Sequence, residues 1–84
     1  MIYVYTIPNC PYCNELKGLL NDRKIEFDEI DVTLPNNVAN FAKITEVVKS
    51  SDVPMVRIDK QMFVPYMSFK SIPEAADLVE KFNI

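Results

Sequence analysis

Segments with the apolar spacing of strands alternate with segments that have the spacing of helices, and this alternation limits the fold more than any other feature. The chain begins with "MIYVYT", a continuous and partly β-branched run typical of a strand buried on both faces. We therefore expect residues 2–6 to form a central strand. From Pro11 to about Arg23 the apolar residues recur at helical spacing, and Pro11 suits a first turn because its missing N–H costs nothing there. Gly18 inside this helix is expected to cost about 1 kcal/mol relative to Ala.

The same spacing predicts the remaining elements: an edge strand at 27–32, a helix at 35–49, two strands at 54–58 and 61–64, and a closing helix. Acids stand between the apolar residues of "FDEIDV", which is typical of an edge strand. Asp59 and Lys60 form the turn between the last two strands. Ser71 and Glu74 have the spacing of a capping box at the start of the closing helix. Its predicted inward-facing residues are Ile72, Ala75, Ala76, Val79 and Phe82.

The predicted order is β-α-β-α-β-β-α, which indicates the α/β class. The first βαβ unit gives a parallel pair of strands, and the last two strands give an antiparallel hairpin. We therefore expect a four-stranded mixed sheet with three helices. With 84 residues and no linker, repeat or low-complexity tract, we expect residues 1–84 to form a single small domain.

Charge and hydropathy limit the partners. The formal net charge is -3, the pI is near 4.8, and the nine Lys and Arg residues are scattered, whereas nucleic-acid binding needs clustered positive charge. The first twenty residues have neither a basic leader nor an uninterrupted apolar run, so we expect no signal peptide and no membrane span. We expect a cytoplasmic protein whose partners are a small ligand or another protein.

The only two cysteines, Cys10 and Cys13, stand three positions apart where the first strand gives way to the first helix. A structural disulfide across two residues would close almost no loop, so stapling explains the pair poorly. A closed zinc site needs four ligands, and the chain has no His and no third Cys. A zinc site shared between two chains and a pair of inert buried thiols remain as alternatives.

Redox chemistry accounts better for this position. Cys10 lies where unpaired N–H groups and the positive end of the helix dipole stabilise a thiolate. Cys13 follows one helical turn later, within reach of Cys10. We therefore expect Cys10 to attack disulfides and Cys13 to resolve the product. Lys17 lies further along the helix, so the dipole and local N–H groups are expected to supply most of this stabilisation.

The motif "CPYC" at a strand-to-helix junction, followed by "DVP" at the start of a later strand, resembles the glutaredoxin family over essentially the whole chain. The resemblance implies a thioredoxin-like fold, Cys10 and Cys13 as the catalytic thiols, and glutathione as a co-substrate without a tightly bound cofactor or metal. It implies that Tyr12 lines the substrate groove and that Pro54 follows a cis bond. The backbone of Val53 would hydrogen-bond a bound cysteinyl peptide, as in strand addition.

Three departures from the family pattern concern the glutathione pocket. Ile7 occupies a position that is often basic in the family. Asp52 replaces the usual Thr and is therefore expected beside the thiolate and the bound substrate. The stretch "VPYM", residues 64–67, stands where the family has a Gly-Gly pair followed by an acid. Lys43 and Lys49 could replace the missing cation, although a solvated helix face is the simpler explanation for both.

The loop that carries Tyr66, Met67 and Phe69 either covers the sheet edge or forms a surface for a protein substrate. Its sequence "YMSFKSI" resembles a stretch of the redoxins that thioredoxin reductase reduces and that serve ribonucleotide reductase. Three functions are therefore considered. The first is a monomeric glutathione-dependent carrier that reduces disulfide-containing proteins, the second is a redoxin reduced by thioredoxin reductase that serves ribonucleotide reductase, and the third is a glutathione-assisted iron–sulfur carrier. The third is disfavoured because Pro11 and Tyr12 separate two active-site cysteines, where that branch usually has one cysteine with Gly and Ser nearby.

Overall fold

The computed structural model describes residues 1–82, and its elements follow the predicted order. They are β1 (Ile2–Thr6), α1 (Pro11–Asp22), β2 (Asp28–Asp31), α2 (Pro35–Val48), β3 (Met55–Ile58), β4 (Gln61–Phe63) and α3 (Ile72–Phe82). The prediction of an α/β fold with a four-stranded mixed sheet and three helices is confirmed.

The strands are ordered β2-β1-β3-β4 across the sheet. β1 runs parallel to β2, with Thr6 opposite Asp31, and antiparallel to β3, with Tyr5 opposite Met55. β3 and β4 form the hairpin. The apolar β1 is therefore central and the acidic β2 is at an edge, as their sequences predict. The carboxyl ends of β1 and β2 meet at one edge of the sheet, and the cysteine motif begins there.

Three predicted strands were too long, because pairing rather than apolarity sets where a strand begins and ends. β2 spans four of the six residues predicted for it. β3 begins at Met55, after the cis bond between Val53 and Pro54. β4 ends at Phe63, because the N–H of Val64 donates to Oγ of Ser68 at 3.0 Å. That hydrogen bond turns the chain away from the sheet.

The two faces of the sheet are packed unequally. The alternate residues Ile2 and Val4 of β1 face a core formed with α1 and α3, in which Leu16 and Leu20 are fully buried. The opposite face packs against α2 through a smaller cluster centred on Tyr5. Within the described chain, α2 has no buried residue and contributes only partly buried side chains to that cluster.

Most of the inward stripe predicted for α3 is confirmed, with Ile72, Ala75, Ala76 and Val79 buried. Phe82 was assigned wrongly to that stripe. It is 43% exposed at the end of the helix, although its ring lies 5.3 Å from the ring of Phe63. None of the helices in residues 1–82 has both the length and the apolar character needed to cross a membrane.

Candidate active site

A tight turn places Cys10 at the start of α1. Asn9 has a φ of 59°, a left-handed conformation that Asn adopts more readily than most residues. Cys10 is the N-cap residue, and Pro11 lies in the first turn of the helix, as the sequence predicts for Pro11. The backbone N–H of Cys13 donates to Sγ of Cys10 at 3.3 Å. An otherwise unpaired donor of the first helical turn therefore points at this sulfur.

The two thiols have different environments, although both are free and buried. Cys13 is 1% exposed and Cys10 is 7% exposed. Burial, followed by a hydrogen bond to Cys10, raises the pKa of Cys13 from 9.0 to about 12. The backbone of Ile7 and the charge of Lys17 act in the opposite direction. Cys13 is therefore a protonated thiol at neutral pH while the dithiol is reduced.

A groove of about 490 Å³ brings four of the predicted site residues together: Tyr12, Asp52, Val53 and Pro54. The Val53–Pro54 bond is cis, as the family resemblance implies. Tyr12 is 61% exposed and stands between the two cysteines on α1. In the described chain the cysteines themselves are outside the lining of this groove, so Tyr12 connects the groove to the thiols.

The loop between β4 and α3 forms part of the groove wall. The N–H groups of Met67 and Ser68 both donate to the carbonyl of Val64, and the N–H of Tyr66 donates to the carbonyl of Phe69 at 2.7 Å. These bonds hold Tyr66 with a φ of 67° and leave its side chain 75% exposed. Phe69 is 3% exposed and belongs to the core. Of the two aromatic residues of this loop, Phe69 therefore packs in the core and Tyr66 lies on the surface.

The charges on the groove wall differ from those expected from sequence. Glu15 and Asp52 are the acids, and Lys70 contributes a positive charge. Lys43 and Lys49, which were considered as replacements for the missing cation, lie in and directly after α2 and are not on this wall. Lys70 was missed because only the fold of the preceding loop brings it to the groove.

A second polar cluster lies beside the cysteine motif. Oε2 of Glu29 on β2 accepts hydrogen bonds from Oγ1 of Thr6 and from Nζ of Lys17, both at 2.8 Å. Thr6 is 1% exposed and precedes the cysteine turn. These bonds lower the pKa of Glu29, with Lys17 as the largest cause. Sequence reasoning missed the cluster, although a polar Thr at the end of an apolar strand indicates a buried partner.

A larger open depression of about 960 Å³ lies at the opposite edge of the sheet. It is lined by the amino ends of β1 and β2 and by the end of α1, at the end of the sheet away from the cysteine motif, whereas the smaller groove includes Tyr12 of that motif. Ligands of open α/β sheets bind at the carboxyl ends of parallel strands, where Cys10 lies. We therefore take the smaller groove as the candidate site. Within residues 1–82, no three His, Cys, Asp or Glu side chains are grouped so that they could hold a metal ion.

Comparison with known proteins gives a consistent result. The family model described as Glutaredoxin matches residues 2–63. An uncharacterized glutaredoxin-like 8.6 kDa protein in the rubredoxin operon of Clostridium pasteurianum is 30% identical over 66 residues, which are 79% of this chain and 85% of that protein. Glutaredoxin 3 of Escherichia coli K12 is 35% identical over an alignment 63 residues long, which covers 71% of this chain and 70% of that protein.

A likeness of fold extends over nearly the whole chain. The solved structure of the glutaredoxin-like NrdH-redoxin of Escherichia coli superposes with a TM-score of 0.67 on 96% of this chain and 92% of its own, at 18% sequence identity. The fold is therefore thioredoxin-like. Because the family match spans most of the sequence and includes both cysteines, this chain belongs to the glutaredoxin family of thioredoxin-fold redox proteins.

Proposed function

We propose that this chain is a thiol–disulfide oxidoreductase in which Cys10 is the nucleophile and Cys13 the resolving thiol. The observation that carries the proposal is the position of Sγ of Cys10 at the N-cap of α1, where the N–H of Cys13 donates to it. Helix N-terminal donors and the helix dipole stabilise a thiolate at such a position. Burial keeps Cys13 protonated in the reduced dithiol, which suits a thiol that acts second.

The proposed reaction transfers two electrons in two exchanges. The Cys10 thiolate attacks one sulfur of a substrate disulfide, forming a mixed disulfide and releasing the first substrate thiolate. Cys13 then loses its proton and attacks Sγ of Cys10. The Cys10–Cys13 disulfide forms, and the second substrate sulfur leaves as a thiolate that takes up a proton. The substrate disulfide is reduced and the protein dithiol is oxidised.

The groove beside the thiols is the proposed binding site for the substrate, which is a protein disulfide or a glutathione mixed disulfide. Val53 and Pro54 form one wall, and the backbone of Val53 would pair with an extended cysteinyl segment. Tyr12 would pack along the same segment. Asp52 would select against acidic groups at this wall because like charges repel.

Glutathione is the first candidate for the reductant and enters as a co-substrate. One glutathione thiolate would open the Cys10–Cys13 disulfide at Cys10, and a second would release Cys10 while forming glutathione disulfide. Lys70 is the positive side chain on the groove wall that could pair with a glutathione carboxylate.

Thioredoxin reductase is the second candidate, and the charges of the groove favour it. Glutathione carries a net negative charge, and the wall presents Glu15 and Asp52. The N-terminus of α3 could attract an anion, but N–H groups there already have hydrogen-bond partners within the chain. The N–H of Glu74 donates to Ser71, and the Glu74 carboxylate accepts from the N–H of Lys70. In this case ribonucleotide reductase is the proposed electron acceptor.

We further propose that the chain acts as a monomer in the cytoplasm and binds neither nucleic acid nor membranes. Its net charge of -3 opposes nonspecific binding to phosphate backbones and anionic lipid surfaces.

Two coupled assays test these proposals by following NADPH consumption, each with a disulfide-containing protein and, separately, with a glutathione mixed disulfide as acceptor. One supplies glutathione with glutathione reductase, and the other supplies thioredoxin reductase. Cys10→Ser should abolish turnover in both assays. Cys13→Ser should retain reduction of a glutathione mixed disulfide but lose reduction of protein disulfides, because only the second route needs the resolving thiol. If Cys10→Ser is the milder change, the two roles are reversed.

A further inference from the structure

The cluster of Thr6, Lys17 and Glu29 fixes a positive charge one helical turn along α1 from the buried thiol of Cys13. Lys17 follows Cys13 by four positions on α1, so both side chains lie on the same face of the helix, one turn apart. Nζ of Lys17 donates to Oε2 of Glu29 at 2.8 Å, and Oγ1 of Thr6 donates to the same oxygen at 2.8 Å. Since Thr6 is buried, its hydrogen bond holds the Glu29 carboxylate against the protein.

An ordinary surface ion pair would explain the contact between Lys17 and Glu29, but two features set this pair apart. The Lys17 side chain is only 26% exposed, compared with 42% for Glu29. The carboxylate also has a buried second donor, whereas a solvated pair has water in that position. The ammonium group is therefore held in one place.

We propose that Lys17, oriented by Glu29 and Thr6, is a positioning residue that stabilises the Cys13 thiolate during resolution of the mixed disulfide. This inference rests on the proposed function. In the step concerned, the Cys13 thiol gives its proton to solvent and its sulfur attacks Sγ of Cys10. The Cys10–Cys13 bond forms, and the bond from Cys10 to the substrate sulfur breaks. Negative charge resides on Cys13 only while this step proceeds, and a fixed cation then lowers the barrier.

The surrounding charges agree with this role. Lys17 lowers the pKa of Cys13, whereas burial and Cys10 raise it. The adjacent strand β2 contributes Glu29, which is paired with Lys17. The ion pairs to α3 are made by Arg23, which directly follows the far end of α1. Removing Lys17 would therefore withdraw the cation and also leave the Glu29 carboxylate uncompensated, and both changes disfavour a thiolate at Cys13.

The reaction of the reduced protein with dithiobisnitrobenzoate allows attack by Cys10 and resolution by Cys13 to be measured separately. Attack by Cys10 releases the first thionitrobenzoate at a rate proportional to reagent concentration. Resolution by Cys13 releases the second at a rate that does not depend on reagent concentration. Lys17→Met should leave the first phase within about twofold and slow the second about tenfold at low salt, with a smaller effect at high salt. Lys17→Arg should restore the second phase, because it keeps the charge.

Lys43→Met provides the matched control, because it removes an exposed lysine on the opposite face of the sheet. In a Cys10→Ala background, titration of thiolate absorbance should show a higher Cys13 midpoint when Lys17 is also replaced. An unchanged second phase in Lys17→Met, or an equal slowing in Lys43→Met, would overturn the role of Lys17. Absence of a second phase in the unmodified protein would instead overturn the dithiol mechanism and this role with it.

Discussion

Alkylation of Cys13 offers a quantitative test of the difference between the two thiols. The fold raises the pKa of Cys13 from 9.0 to about 12, which lowers its thiolate fraction at pH 7 by about a factor of 1000. A more basic thiolate is intrinsically more reactive. With a Brønsted slope of about 0.4 to 0.5, this higher reactivity offsets the loss of thiolate by a factor of about 20. The net expectation is labelling about 50-fold slower than for an unperturbed thiol, before steric protection by burial adds to it.

The assay treats the reduced protein with iodoacetamide at pH 7 and quantifies both cysteine peptides by mass spectrometry. The same chain unfolded in guanidinium provides the reference rate for each thiol. In the folded protein Cys13 should label at least about 50-fold more slowly than in this reference, and after Cys10. In Cys10→Ala the hydrogen bond and charge that raise the Cys13 pKa are gone, so labelling should accelerate. It should remain slower than in the unfolded chain, because burial is the largest cause.

Two results would refute this reasoning. A folded-state rate for Cys13 within threefold of its unfolded rate would mean that burial does not control the thiol. Faster labelling of Cys13 than of Cys10 would exchange the proposed roles of nucleophile and resolving thiol.

Three further predictions follow from individual residues. Gly18→Ala should stabilise the protein by about 0.5 to 1 kcal/mol, because Gly18 is in the middle of α1 and an added Cβ meets nothing within 4 Å. A urea midpoint that is unchanged or lower would contradict this. Asp52→Thr should speed reduction by glutathione, with a larger gain at low ionic strength, because it removes an acid from the groove wall. Identical stopped-flow rates and salt slopes would mean that Asp52 has no part in choosing the reductant. Glu29→Gln should make the free energy of unfolding depend less steeply on pH on the acid side. The lowered pKa of Glu29 contributes stability that is present above about pH 4.5 and lost as pH falls through the folded-state value, so parallel curves for variant and parent would contradict it.

The sequence predicts the framework of this fold because local spacing and strand pairing agree. β1 has the predicted bounds, and β2 lies at the edge as its acids indicate. Strand ends are less predictable because they depend on partners elsewhere in the chain. Val64 has a residue type favoured in strands, yet its N–H bonds to Ser68 rather than to a strand. Phe82 has the right spacing for the core, yet at the end of α3 it contacts Phe63 and stays 43% exposed.

The candidate site is predictable where its chemistry is concentrated in short motifs. Cys10 and Cys13 lie on one helical turn, and Val53 with Pro54 forms a recognisable pair. Lys70 and the contact between Lys17 and Glu29 could not be found in this way. The latter joins residues twelve positions apart across a helix and an edge strand, and neither residue type is unusual in its own segment.

The unequal packing of the sheet has a consequence for local opening. Since α2 in the described chain packs on the sheet only through partly buried side chains, separating it exposes less apolar surface than separating α1, whose Leu16 and Leu20 are fully buried. The amide protons of α2 are therefore expected to exchange with solvent through fluctuations much smaller than global unfolding. The amides of α1, whose Leu16 and Leu20 are fully enclosed, should exchange only when the whole core opens. The helix that begins at the cysteine motif is thus expected to belong to the slowest-exchanging part of the molecule. The arrangement of the two thiols should therefore persist while α2 on the opposite face of the sheet opens locally.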